Sequence, residues 1–349
     1  MSSTPLPSAL YEPFTYSLFS LIEAGRSTLM LWSVGMVLGG LLLLSWAANR
    51  FVDSAAALAR NLGIAPMIVG LTVVSLGTSA PEIMVSGLAA WQGNVGLAVG
   101  NAIGSNIANM SLVIGSAAIV APLLVKSETL RREFPMMMAV MLFALALILD
   151  GDLARWEGLV FLAALAAVTY GLVAIGATSR PDDALAVEFS EKIPGDLSTV
   201  RVSNWLALSL GVLLVSSQMM VSGAVNIARV FGISDLVIGL TLVAVGTSLP
   251  ELAATVASVL KKEHDIAIGN IIGSNMFNLL AVLGIAAVMQ PGPLVPAVIT
   301  RDYPVMIGLA VVLFATAYGF RGPGRINRAE AVLLLMLFVG YQAWLLSGR

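Results

Sequence analysis

The stretch GLTVVSLGTSAPEI at Gly70–Ile83 recurs 169 positions later as GLTLVAVGTSLPEL at Gly239–Leu252. The same shift, with no gap, lays GNAIGSNIAN (Gly100–Asn109) on GNIIGSNMFN (Gly269–Asn278), Arg60 on Arg229 and Gly63 on Gly232. Unrelated apolar helices would match Leu to Val. Here the matched residues are Gly, Thr, Ser, Pro, Glu and Asn, which hydrophobicity does not select. The chain is therefore an internal duplication.

Both motifs sit in apolar sequence. Of the 349 residues, 58% are hydrophobic and 11% charged, against about 25% charged in a soluble domain. The apolar residues fall in blocks of about 20, the length that crosses a bilayer as a helix. We read an all-α polytopic membrane protein with ten spans, near 28–48 (running on towards 62), 66–89, 95–121, 134–149, 156–177, 204–230, 235–259, 266–289, 302–320 and 329–347. The longest polar interruption, 178–203, separates a first five-helix repeat (28–177) from a second (204–349) and has the size of a linker. Residues 1–27 form an N-terminal segment without the charge pattern of a cleaved signal peptide. Its Tyr11, Phe14, Tyr16 and Phe19 suit the membrane interface.

Five spans per repeat make the second copy enter from the opposite side, so the repeats are expected to be inverted, as in many secondary transporters. Counting Lys and Arg on alternate sides of the spans puts 13 of the 18 on one side and 5 on the other. The positive-inside rule makes the richer side cytoplasmic. The linker is then expected in the cytoplasm and both termini outside.

Composition also excludes several chemistries. There is no cysteine, so disulfides and thiolate sites are ruled out. No basic stripe suggests nucleic acid. The single histidine, His264, stands among Lys261, Lys262 and Glu263 and reads as a solvated loop residue. No His-Glu-x-x-His motif occurs.

Glu82 and Glu251 lie inside apolar helices, where a carboxylate costs several kcal/mol unless compensated. No Lys or Arg lies in the central parts of spans 2, 3, 7 or 8 to balance them. The balancing charge must be a proton or a bound cation. Pro81 and Pro250 precede the glutamates, and proline releases the carbonyl four residues back, at Gly77 and Gly246. Irregular backbone at membrane depth is tolerated where it lines a cavity. The hydroxyls of Thr78 and Ser79, and of Thr247 and Ser248, flank these carbonyls. All the ligands offered are oxygen, as hard cations such as Ca²⁺ and Na⁺ require, whereas zinc or copper would call for His or Cys. Two ionised glutamates roughly 5 Å apart repel by about 3 kcal/mol, which a divalent cation would relieve.

In the second motif Gly100 and Gly104, and Gly269 and Gly273, are spaced for close helix packing. Ser105 with Asn109, and Ser274 with Asn278, share a helix face at i, i+4 and are expected to complete the site. Asn101, Asn106, Asn270 and Asn275 are expected to hydrogen-bond between helices. Span 1 carries Asn49 and Asp53 and span 6 carries Ser216, Ser217 and Gln218; their apolar faces are rich in small residues (Ala55 to Ala57; Ala224, Ala228), so both read as sliding gate helices, and Asp53 reads as interfacial.

At GTSAPE with GNAIGSNIAN, and GTSLPE with GNIIGSNMFN, the chain resembles the calcium/cation antiporter superfamily, specifically prokaryotic sodium/calcium exchangers. The resemblance implies ten helices, inverted repeats and alternating access. It implies Glu82 and Glu251 as the main Ca²⁺ ligands, joined by the carbonyls of Thr78 and Thr247. It implies Na⁺-ligand positions at Ser79, Ser248, Ser105 and Ser274 and at the carbonyls of Ser75 and Ala244, with Asn109 and Asn278 at the polar centre. Asn278 is Asp in the potassium-dependent members, so the expectation is K⁺-independent exchange. The G-S-N pattern favours Na⁺ over H⁺, with a Ca²⁺/H⁺ antiporter as the alternative. A cation channel and an intramembrane acid protease are the remaining readings. No enzymatic cofactor is expected; Ca²⁺, Na⁺ and the bilayer are the expected partners.

Overall fold

The computed structural model describes residues 12–178, 198–231, 244–318 and 324–347. The elements are α1 (Glu12–Leu62), α2 (Pro66–Thr78), α3 (Ala80–Trp91), α4 (Val95–Val120), α5 (Glu133–Ile148), α6 (Arg155–Thr178), α7 (Thr199–Val230), α8 (Ala244–Thr247), α9 (Leu249–Leu260), α10 (His264–Met289), α11 (Val298–Ala317) and α12 (Arg328–Leu346). Among the described residues seven helices are long and apolar enough to cross a membrane, or eight if α2 and α3, bent by 44°, count as one span.

The first membrane-length span covers Thr28–Leu62, and the helix that carries it is described from Glu12. The seventh span is described only from Ala244, as α8 and α9. Most of the linker, 179–197, lies outside the described residues, as do Tyr11 and the side chains of Phe14, Tyr16 and Phe19. His264 opens α10 and is half-buried, so it is a helix-start residue and not a solvated loop residue.

The helices begin and end for local reasons. Pro81 and Pro250 occupy the first turns of α3 and α9, where a missing N–H costs nothing. Asn94 accepts from the Leu97 N–H at the start of α4, and Asn327 forms a capping box with Glu330 at α12. The α3–α4 turn uses Gly93 at φ +80°. Its counterpart 169 residues on is Lys262, which takes φ +62°.

The long helices α1 and α7 pack side by side and antiparallel. A Cβ on Gly40 would lie 2.6 Å from Met220 Cγ, one on Gly223 would lie 2.7 Å from the Ser33 carbonyl, and Arg50 stacks over Trp205. In the centre, α10 is 89% buried over its apolar window. Large apolar residues such as Leu31, Leu42, Trp156 and Val339 stay exposed on the perimeter, as a lipid-facing surface requires. Two short antiparallel pairs tie the halves together. β1 (Leu123–Leu124) pairs with β4 (Arg325–Ile326), and β2 (Asp152–Leu153) pairs with β3 (Gly292–Pro293). Lys126 pairs with Asp265 at 2.7 Å and Lys261 with Asp53 at 2.8 Å, which gathers these charges at one end of the bundle. Asp53 is thus an ion-pair residue within α1.

The glycine spacing of the second motif has a packing role. A Cβ on Gly269 would fall 2.6 Å from the Met67 carbonyl, and one on Gly70 2.8 Å from the Ile266 carbonyl, so α2 and α10 cross backbone to backbone. Gly269→Val should therefore force these helices apart. Overpacking costs about 1–3 kcal/mol, to be read as a lowered melting temperature of the detergent-solubilised protein; an unchanged melting temperature would show that the crossing relaxes freely.

Candidate cation site

Ser79 (φ −81°, ψ 4°) and Ser248 (φ −86°, ψ 5°) interrupt the helix at matching points, between α2 and α3 and between α8 and α9. Each break aims the next turn inward, so Glu82 and Glu251, in the first turns of α3 and α9, are fully buried, and Glu251 reaches the break that precedes Glu82.

The polar groups around them are exchanged between the repeats. Glu251 Oε1 accepts from Ser79 Oγ at 3.1 Å and has Thr78 and Ser274 beside it. Glu82 has Thr247 of the other repeat and Ser105 of its own as polar neighbours. Each glutamate thus faces hydroxyls of the opposite break and the serine of its own second motif. Thr78 Oγ1 also donates to Asn270 Oδ1 at 3.0 Å and lies 3.5 Å from Ser274 Oγ.

Several of these atoms have no protein partner. Both carboxylate oxygens of Glu82, Oε2 of Glu251, Oγ of Ser248, and the amide groups of Asn109 and Asn278 are buried without a hydrogen bond. Buried polar atoms are normally satisfied. A cluster of unsatisfied oxygens around two acids, with no basic group beside it among the described residues, has the chemistry that a hard cation prefers. Among the described residues no group of three or more His, Cys, Asp or Glu gathers, and the other polar groups around the two glutamates are neutral.

The other expected residues fall around this centre. The Ser75 carbonyl accepts the Ser79 N–H at 2.9 Å and the Thr78 hydroxyl at 3.4 Å, and its own hydroxyl donates to the Leu71 carbonyl at 2.7 Å. Ala244 opens α8; its side chain lies outside the described residues. Asn101 donates to Ser86 Oγ at 2.9 Å, and Asn270, its counterpart, to Thr255 Oγ1 at 3.2 Å. Asn106 donates to the carbonyl of Asn275, its own counterpart, at 3.1 Å, and Asn275 to Met137 Sδ at 3.6 Å. These four asparagines bond between helices, as expected.

Two features have no counterpart in the sequence reading. Asn109 and Asn278 each open a π-turn inside their helix, Asn109–Val113 and Asn278–Val282. Such turns interrupt the regular hydrogen-bond ladder and recur at functional sites. In addition, a cavity of about 370 Å³ lies between α3, α7 and α8, lined among others by Pro81, Ser217, Gln218, Ser222, Asn226 and Thr247. It reaches Thr247, the neighbour of Glu82, from the half of α7 away from the Arg50–Trp205 end. The spacing of Gln218, Ser222 and Asn226 at i, i+4, i+8 on an apolar helix was a signal that could have found it.

A family model describing the sodium/calcium exchanger protein matches residues 32–174 and 203–347. The chain belongs to this family. It is 49% identical over 319 residues to CaxA of Alkalimonas amylolytica, covering 91% of this chain and 100% of that one. It is 42% identical to the inner membrane protein YrbG of Escherichia coli, covering 90% and 97%. A structure of the sodium-calcium exchanger NCX_Mj soaked with Na⁺ and Sr²⁺ superposes with a TM-score of 0.77 at 30% identity, covering 90% of this chain and 98% of that one. The protein is thus an integral membrane cation antiporter of the calcium-exchanging family, a transporter and not an enzyme, as the motifs led us to expect.

Proposed function

We propose that the protein exchanges Ca²⁺ for Na⁺ by alternating access across a prokaryotic inner membrane. The observation that carries this is the pair of buried glutamates, faced by the hydroxyls of the opposite repeat and left with unsatisfied oxygens. Glu82 and Glu251 hold Ca²⁺ with the carbonyls of Thr78 and Thr247. Ser79, Ser248, Ser105 and Ser274, with the carbonyls of Ser75 and Ala244, hold Na⁺ when Ca²⁺ has left. Asn109 and Asn278 line the centre.

Ten spans in two inverted repeats suit this best. The crosswise strand pairing supports it: β1 and β3 occupy matching positions 169 residues apart, and each pairs with a strand of the other half. With the Lys- and Arg-rich end and the linker in the cytoplasm and both termini outside, the 370 Å³ cavity belongs to the outer half. The helices α1 and α7 are the gates whose sliding exposes the site to one side or the other.

The test is uptake of radioactive Ca²⁺ into proteoliposomes under imposed Na⁺ or pH gradients. Na⁺-driven uptake is expected; uptake driven only by pH would make the chain a Ca²⁺/H⁺ antiporter. Exchange is also expected to move net charge. Two carboxylates balance one Ca²⁺, and the neutral oxygens leave room for more than two Na⁺ ions. A membrane potential acts on each net charge by about 2.3 kcal/mol per 100 mV. A valinomycin-imposed potential should bias uptake, and uptake that ignores it would show electroneutral exchange.

A further inference from the structure

Pro250 has no N–H, so the carbonyl of Gly246 loses the partner it would have in a continuous helix. That carbonyl nevertheless has a partner, and it comes from another helix. Ser217 Oγ, on α7, donates to it at 3.1 Å, and the bond is buried. The approach is tight: a Cβ on Gly246 would collide with Val221, one turn further along the same face of α7. Both ends of the bond line the cavity that reaches Thr247.

The first repeat lacks this device. The position matching Ser217, 169 residues earlier, is Ala48. α7 does reach the first break as well, but there its Leu210 side chain packs against Gly77, where a Cβ would meet Leu210 Cδ2 at 3.0 Å. One helix therefore touches both interruptions, with an apolar contact that can slide at one and a directional hydrogen bond at the other. Duplication alone does not account for the hydroxyl.

Resting on the exchange reading above, we infer that Ser217 is a positioning residue that couples the place of α7 to cation occupancy, by holding the Gly246 carbonyl until a cation takes it. A carbonyl that accepts the Ser217 proton presents less of its charge to a cation beside Thr247. A cation that ligates the carbonyl must displace the hydroxyl, and α7 then loses its polar attachment to the break. Binding and helix movement become one event. A serine that merely packs would leave them independent.

The chain has no cysteine, so Asn226→Cys, on the cavity wall, gives a single reporter for a membrane-impermeant thiol reagent. With Ser217 present, Ca²⁺ should change the labelling rate about fivefold, the equivalent of one neutral hydrogen bond. Adding Ser217→Ala should abolish that change and lower the half-saturating Ca²⁺ for uptake by a similar factor. Adding Ser217→Thr, which keeps the hydroxyl, should restore both. Labelling that responds to Ca²⁺ equally with Ser217→Ala, or that does not respond even with Ser217 present, overturns the coupling. Labelling needs no Na⁺ flux. If the Asn226→Cys chain labels as expected but the unsubstituted chain carries no Ca²⁺ against Na⁺, the exchange reading alone is overturned.

Discussion

Glu82→Gln and Glu251→Gln should each abolish Ca²⁺ exchange while leaving the fold intact. Glutamine keeps the length of the side chain and one oxygen, and it removes one of the two charges that balance Ca²⁺. Breaking a buried charge pair by removing one partner costs about 3–5 kcal/mol, or roughly two to four powers of ten in affinity. The fold should tolerate the change, because glutamine keeps the volume of the side chain and, at position 251, an oxygen that can still accept from Ser79. The substitution also removes a like-charge repulsion from the cation-free state, which favours folding. Ca²⁺ uptake and thermal stability of the purified variants separate the two effects. Lost uptake with unchanged or raised stability is expected. Uptake near the wild-type rate in either variant would show that the paired carboxylates do not form the Ca²⁺ site.

Much of this centre was legible in the sequence, because duplication marks residues that hydrophobicity does not select. The shift of 169 aligned the glutamates, the prolines and the hydroxyls before any geometry was known, and proline chemistry located the breaks that the structure places at Ser79 and Ser248. The crosswise neighbours were not legible. Ser79 meets Glu251 and Thr247 lies by Glu82 through contacts some 170 residues apart, and local pattern carries no information about such pairings. The π-turns at Asn109 and Asn278 depend on backbone hydrogen bonds that side-chain periodicity does not report. The first span was legible from Thr28, but the helix begins earlier, at Glu12, because hydropathy marks where a helix enters lipid and Glu12, Glu23 and Arg26 dilute the apolar signal before it. The polar line Gln218, Ser222 and Asn226 is legible as a spacing, but the cavity it borders depends on how α7 packs against α3 and α8.

The remaining large effect concerns Asn278, where the chain places an amide at the centre of the second motif. The residue is fully buried and neither amide atom has a hydrogen-bond partner. Asn278→Asp is nearly isosteric, so packing should barely change. The electrostatics should change sharply, because a third acid would join Glu82 and Glu251 with no basic group beside them. Like charges and burial both oppose ionisation. The new carboxyl must keep its proton or recruit a further monovalent cation. In the first case exchange becomes pH-sensitive around neutrality; in the second it becomes K⁺-sensitive. We expect the first, because K⁺ is large and the surrounding oxygens belong to a site built for smaller ions. Na⁺-driven Ca²⁺ uptake by the variant, followed from mildly acidic to mildly alkaline pH with and without K⁺, distinguishes them. A sensitivity to K⁺ alone would show that the site can expand to hold the larger ion. A profile that overlays the wild type in both variables would place Asn278 outside the cation path, and its unsatisfied amide would then need a structural explanation in the π-turn that it opens.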